Sequence, residues 1–435
     1  MSNCVLPTSY RNIRVIYTHS QSQVSKRVVS PTKGRVSLLG TAGGTSNHHE
    51  MGSNGAAHRF SHGHRDLLLA VSYNIYGTRA ATSSSDHKLK VWDCNEKTGT
   101  WIVTDAWTAH DAQVTDVRWN GPYVGEHIAS IGEDGTLKIW QEDVDEPVNS
   151  GRRWKRVFQL VTATGVPFMG LDLKNIGAES YLAVATRDGY ITVCEPEDHD
   201  DLSSWRVLWQ DYLCKIPSRM DETSFRVSWH KEALPTWPAI LAGLDRKSLS
   251  LAVAVGTTVR ILRTDKDRKF YNAANLEGAR GLVRDVAWSN GSMRGYDTLA
   301  TASKDGFVRI YELHTPGIAT LSTLSNGNGT EDAESLAPPP SQFPNARPTR
   351  SGIGAGLASS AKGRREGQPD APGAVKQEAK LVAELEIREG MPWRVSWNPS
   401  GDMLVSTADE GSVRIWKKSV EGKWLEAAEV DSTRE

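Results

Sequence analysis

The chain has 435 residues, with 51 Lys and Arg against 52 Asp and Glu and a formal net charge of −1. That balance excludes a global electrostatic pull toward nucleic acid, and no apolar stretch reaches the ~20 residues that span a bilayer or forms a signal-peptide core. Cys4, Cys94, Cys194 and Cys214 make no CxxC pair, so they read as free thiols suited to a reducing compartment.

Residues 1–58 are rich in Ser, Thr, Gly and Asn, and carry Arg11, Arg14, Lys26, Arg27, Lys33 and Arg35 against Glu50 alone. The composition predicts a disordered basic extension with no strand to share. Met51 opens the short stretch MGSNGAAHRFSHGHRD and is a second candidate start of the functional chain.

From residue 59 to 432 one pattern recurs. Its clearest copy is MPWRVSWNPSGDMLVSTADEGSVRIW at 391–416, which reads as three short strands joined by tight turns at Asn398-Pro399-Ser400-Gly401 and Asp409-Glu410-Gly411. Other copies close at Trp92, Trp140, Cys194 and Tyr311, and a stretched one closes at Leu262, giving six in all. An acidic residue stands six positions before the closing residue in five of them: Asp86 and Trp92, Asp134 and Trp140, Asp188 and Cys194, Asp305 and Tyr311, Glu410 and Trp416. A carboxylate at a tight turn accepts backbone N–H groups that no ladder satisfies, and a closing aromatic fills the space between neighbouring sheets. A further β-like stretch comes after each copy, at 101–107, 154–161, 205–213, 269–276, 381–387 and 423–428, and serves as an outer strand. The pattern predicts six four-stranded sheets in one all-β domain.

The closing KVWD at 90–93, the KIW and RIW triplets and the Asp-Gly turns before them resemble the WD40 repeat, with Gly63-His64 and His110 where that family has its Gly-His pair. The resemblance implies a six-bladed WD40 β-propeller. Within that group YGTRAATSSSDHKLKVWD, EPEDHDDLSSWRVLW, GLVRDVAWSN and WRVSWNPSG look like the Seh-one type of nucleoporin, sister of the Sec-thirteen coat propeller, over roughly residues 64 to 430. It implies a scaffold subunit of the Y-shaped complex at the nuclear pore of the nuclear envelope, supporting nucleocytoplasmic transport. The implied partners are a Nup-eighty-five-type α-solenoid nucleoporin and other Y-complex subunits, with no direct nucleic acid and no membrane insertion. Membership of a vacuolar or lysosomal coat-like complex that regulates TOR signalling is implied as well. A Sec-thirteen-type vesicle coat subunit and a free-standing WD40 peptide reader are the alternatives.

Because copy six owns an outer strand, the ring is expected to be open and completed by a partner-supplied blade. The exposed faces then lie near Val71 and Tyr73 in blade one and Val413 and Ile415 in blade six, with an interface above ~2,000 Å² and an aggregation-prone free chain.

No catalytic, cofactor or metal site is expected. His58, His62 and His64 have a spacing that suggests ligands, but His64 takes the Gly-His position. Ser85-Asp86-His87 collects triad residue types without a nucleophile elbow, and EPEDHDD at 195–201 reads as a solvated turn. Residues 314–378, with Pro338-Pro339-Pro340, GIGAG and the basic Lys362, Arg364 and Arg365, read as a disordered loop inside copy five.

Overall fold

The structure, a computed structural model, describes residues 14–16, 35–39, 57–95, 97–162, 165–218, 220–291, 295–316, 373–388 and 390–431. Met51, the GIGAG run, Lys362, Arg364 and Arg365 lie outside the described residues.

Six four-stranded antiparallel sheets succeed one another along the chain, each with its strands in sequence order from the inside out. The inner strands are Leu68–Tyr73, Val114–Trp119, Phe168–Ile176, Phe225–Trp229, Val283–Trp288 and Pro392–Trp397. The outer strands are Thr100–Thr108, Trp154–Val161, Asp201–Tyr212, Phe270–Leu276, Glu378–Glu386 and Trp424–Asp431, at the places expected from the sequence. Short apolar runs make the strands, and the turn before each third strand needs a left-handed residue. Gly135, Gly189, Gly306 and Gly411 supply it, and in blade one His87 holds φ 66° without being glycine.

The third strand of every blade slips register against the outer strand at its closing residue, as between Val91 and Trp92, Ile139 and Trp140, or Ile415 and Trp416. Such a bulge raises the local twist that stacked blades need.

Hydrophobic packing lies between blades rather than within them. Ala81, Leu89 and Val91 of blade one meet Val114, Val117 and Trp140 of blade two. Equivalent layers join blades two and three around Leu137 and Leu171, and blades three and four around Ile191 and Leu251. The last two surround Ile261 with Leu299 and Ile310 with Trp416. Inner strands of successive blades pack in the same order. Among the described residues no sixth layer joins blade six back to blade one. Val405, Val413 and Ile415 instead form a small group of their own on the far face of blade six.

The two faces of this gap are nevertheless covered, which corrects the expectation that they are exposed. Val413 is 1% and Val405 5% exposed on blade six, while Ala80 is 3% and Trp92 4% exposed on blade one. Val71, Tyr73 and Ile415 are half-buried. The burial arises within the single chain.

Two segments read as disordered contain ordered pieces. Within residues 1–61, Arg14–Ile16, Arg35–Leu39 and Ala57–Ser61 form a three-stranded antiparallel sheet in that order, its first two strands short β-branched and leucine runs that the polar average of the segment conceals. At the end of the insertion in blade five, Ala374 and Val375 are buried. Tyr271 Oη accepts from the Val375 N–H at 2.7 Å, and Val375 packs with Ala239 and Leu244. The stretched fourth copy holds the helix Trp237–Leu241, with a proline in its first turn, between its first two strands.

Candidate functional site

Each turn carboxylate lies where the chain enters a blade. In blade one His64 Nδ1 is 3.1 Å from both Asp86 carboxylate oxygens, while Asp86 also accepts the N–H groups of Arg65 at 2.9 Å and Lys88 at 3.1 Å. The His64 Nε2 is 3.0 Å from Thr82 Oγ1, which accepts Trp92 Nε1–H at 3.0 Å. Blade two repeats the chain of contacts with His110, Asp134, Ser130 and Trp140. In blade six only the last link remains, Trp416 Nε1 donating to Ser406 Oγ at 2.8 Å. Thr82, Ser130 and Ser406 escaped the sequence reading, although each stands ten positions before its tryptophan.

These networks fix protonation. Burial would raise the Asp86 carboxyl, but hydrogen bonds from His64, Arg65 and Lys88 outweigh it and hold it well below the usual carboxylate range. Burial lowers the imidazoles of His64 and His110, against the pull of their aspartates, and lowers His62 to about 4. His62 Nδ1 accepts the His64 N–H at 3.1 Å. The histidines expected to resemble ligands are thus engaged within blade one, and the His58 side chain lies outside the described residues. Among the described residues no group of three or more His, Cys, Asp or Glu is placed to hold a metal ion.

The other turn residues vary. Asp305 accepts the N–H groups of Arg280 and Phe307 and pairs with the buried Arg309 at 2.8 Å. Asp188 bonds Thr186 and, at 3.3 Å, the hydroxyl of Tyr212. Blade six differs from the assignment to Glu410. The N–H of Met391 goes to Asp409 at 2.8 Å, and Glu410 accepts from Ser412 Oγ at 2.7 Å. Burial and the neighbouring Asp409 raise Glu410 above its ordinary value. Of the closing residues without an indole, Tyr311 donates to the Glu277 carbonyl at 2.8 Å. Burial pushes the thiol of Cys194 up to about 12, far from a nucleophile's range. Ser85 donates to Gln113, not to a histidine. Glu195 is no solvated turn residue: it is buried and paired at 2.8 Å with both Arg206 and Arg268, tying blade three to blade four.

Around the axis, inner strands are linked by side chains that accept an N–H from the next blade. Ser72 accepts from Trp119 at 2.9 Å, Asp172 from Trp229 at 2.8 Å, Ser228 from Trp288 at 3.1 Å and Asp285 from Val395 at 3.0 Å. The buried Asp116 of blade two binds Arg118 of its own strand at 2.9 Å and Arg226 of blade four at 3.1 Å, skipping a blade. Asp172 holds Lys231 at 2.9 Å. These carboxylates are already spent on protein cations, which leaves them poor anchors for a basic peptide. A second buried joint sets Asp297 of blade five against Arg263 at 2.8 Å and His230 at 3.1 Å.

The geometry therefore distinguishes one place from the rest: the junction of blades six and one. The WD domain, G-beta repeat family matches at residues 57–93, 99–141, 271–312 and 381–417. Nucleoporin SEH1 of Saccharomyces cerevisiae is 29% identical over 364 residues, 82% of this chain and 94% of the yeast protein. Nucleoporin SEH1 of Chaetomium thermophilum is 26% identical over 506 residues, 85% and 93% of the two chains. The Homo sapiens Nucleoporin SEH1 is 29% identical over 366 residues, 83% and 84% of the two chains. The chain carries WD40 repeats and is similar to the Seh1 nucleoporins over more than four-fifths of its length. The four family matches each begin near an outer strand and end just past a closing aromatic, so they take in the turn carboxylates and closing residues of blades one, two, five and six.

Proposed function

We propose that the protein is a non-enzymatic scaffold subunit of the nuclear pore complex, docking other subunits through the junction of blades six and one. Its likeness to the Seh1 nucleoporins over more than four-fifths of its length carries this reading. The repeat carboxylates are spread over five of the six blades and are bonded to amides and side chains of their own blades, which builds no acid and base facing a common cleft. The Nup-eighty-five-type α-solenoid of the Y-shaped complex is the partner we assign to the junction, supplying a β element there, and other Y-complex subunits join through it. Service in a vacuolar coat-like complex that regulates TOR signalling belongs to the same proposal, using the same surface.

Purification of the chain from its own cells tests this. Stoichiometric solenoid nucleoporins and a nuclear-rim signal are the expected result. Recovery of short linear-motif proteins alone, with a diffuse cellular signal, overturns it.

A further inference from the structure

One position of the inner strand repeats around the axis. Ala70, Asp116, Gly170, Arg226, Asp285 and Arg394 hold it in blades one to six, each followed by a valine or a leucine. In five blades a register slip against the second strand comes directly before it, so the position is equivalent by pairing as well as by sequence. Blades four and six share the full run Arg-Val-Ser-Trp, at Arg226 to Trp229 and at Arg394 to Trp397. The fold does not demand an arginine there, since alanine and glycine serve in blades one and three.

The carboxylates of this layer are occupied. Asp116 accepts the Val117 N–H at 2.9 Å and binds Arg118 at 2.9 Å and, across the axis, Arg226 at 3.1 Å. Asp285 gives Oδ2 to the Val395 N–H at 3.0 Å. The guanidiniums are not occupied. Among the described residues Arg226 donates one hydrogen bond, from Nη1 to Asp116, and Arg394 donates none, its ion pair with Asp285 spanning 3.7 Å. Their idle nitrogens are not sealed from solvent, the two side chains being 15% and 11% exposed. Ser396, on the same face of the strand as Arg394, is exposed and adds a hydroxyl.

Charge is out of balance at the same place. Arg118, Arg226, Arg394 and Lys231 share three carboxylates, those of Asp116, Asp172 and Asp285. Burial lowers the Arg226 guanidinium to about 10, and the next cause is repulsion from Arg394, which outweighs the pull of either Asp116 or Asp285. Two cations that repel each other and keep free N–H groups call for an anion between them. A guanidinium fork matches a pair of oxygens on a carboxylate or a phosphate. A carboxylate has oxygens for one fork, whereas a phosphate has oxygens for both.

We infer that Arg226 and Arg394 form a phosphate-binding site at the axis of the ring, which takes a single phosphate group as the free ion or as a monoester. The site draws on blades four and six alone and does not depend on what docks at the junction of blades six and one.

Calorimetric titration of the full chain with inorganic phosphate, at constant ionic strength set with sodium chloride, tests this. Saturable binding at one site is expected, weakened at least about tenfold by Arg394→Gln. Arg394→Lys keeps the charge and loses the fork, so it should weaken binding by less; it decides the question if the glutamine variant does not fold. Lys97→Gln removes an exposed lysine at the tip of blade one and should change nothing. Glycerol phosphate separates the two sources: an affinity matching that of the free ion admits esters to the site, and its failure to bind restricts the site to the free ion. Absence of saturable binding by the parent chain, unchanged binding by either Arg394 variant, or equal weakening by Lys97→Gln overturns the site. Displacement of phosphate by acetate at equal concentration overturns its assignment to phosphate.

Discussion

Asp305 illustrates how much one side chain settles. It accepts two turn N–H groups and faces the guanidinium of Arg309, which is 1% exposed. Asp305→Ala leaves those groups short of partners, and about 1 to 3 kcal/mol of stability should go with it; chemical denaturation measures the loss, and partner binding should weaken only as far as folding does. Asp297 is a harsher case, since it neutralises the fully buried Arg263. Asp297→Ala strands that charge, at a cost of about 3 to 5 kcal/mol, and a melt within about 1 °C of the parent would refute the account. The pH profile comes from the histidines. His62, His64 and His110 have folded pKa values below the ordinary one, His62 at about 4. The unfolded chain therefore takes up protons first, so their contribution is whole above about pH 6.5 and is lost as pH falls toward the folded values. Thermal melts from about pH 7.5 down to about pH 4.5 should show a steady decline, blunted in the double variant His62→Phe and His110→Gln. At this scale the sequence displayed the aspartates and the tryptophans, because each recurs at fixed spacing. It did not display Asp409 taking the part given to Glu410, nor the Arg263–Asp297–His230 joint, because such contacts join residues from separate copies and have no period.

Strands and turns were legible for a different reason. Alternating apolar residues bounded by Asp-Gly turns force short antiparallel strands wherever they occur, and all six outer strands fell near their expected places. Averages over a long segment were a poorer guide. Residues 314–378 are polar overall, yet Val375 within them is buried and hydrogen-bonded to Tyr271 in blade four. Replacing residues 317–372 by a Gly/Ser linker should leave the melting temperature unchanged within about 2 to 3 °C, since closure entropy varies slowly with loop length. Extending the replacement through Gln377 removes a buried apolar contact and should lower it measurably in the same assay.

The whole molecule is a chain of interfaces, five of them apolar layers between consecutive blades, with the two ends meeting at a junction of another kind. Deleting residues 1–61 should uncover Val413 and Val405 on one side and Trp92 on the other. A dye that binds exposed apolar surface should then bind strongly, and light scattering should rise with concentration. Little change in either would mean that the faces are covered by something else. The family resemblance foretold that the junction matters; it did not foretell that Val413 and Trp92 on its two sides are buried in the lone chain, because burial between residues of separate copies leaves no local pattern.

Four hydrogen bonds between inner strands point one way, from an N–H of one blade to a side chain of the blade before it. A contact with that polarity is heterologous: its two halves differ, and nothing in it signals when to stop. Blade six ends with an unused acceptor at Ser396, and any inner strand offering an N–H at the right height would continue the series, whether it came from this chain, from a proper partner or from another copy. Such a contact ends in a ring if the rotation closes and in an open helical polymer if it does not. The covered faces on either side of the junction therefore bear on assembly as well as on stability, since they decide whether the series is terminated within one molecule or propagated to the next.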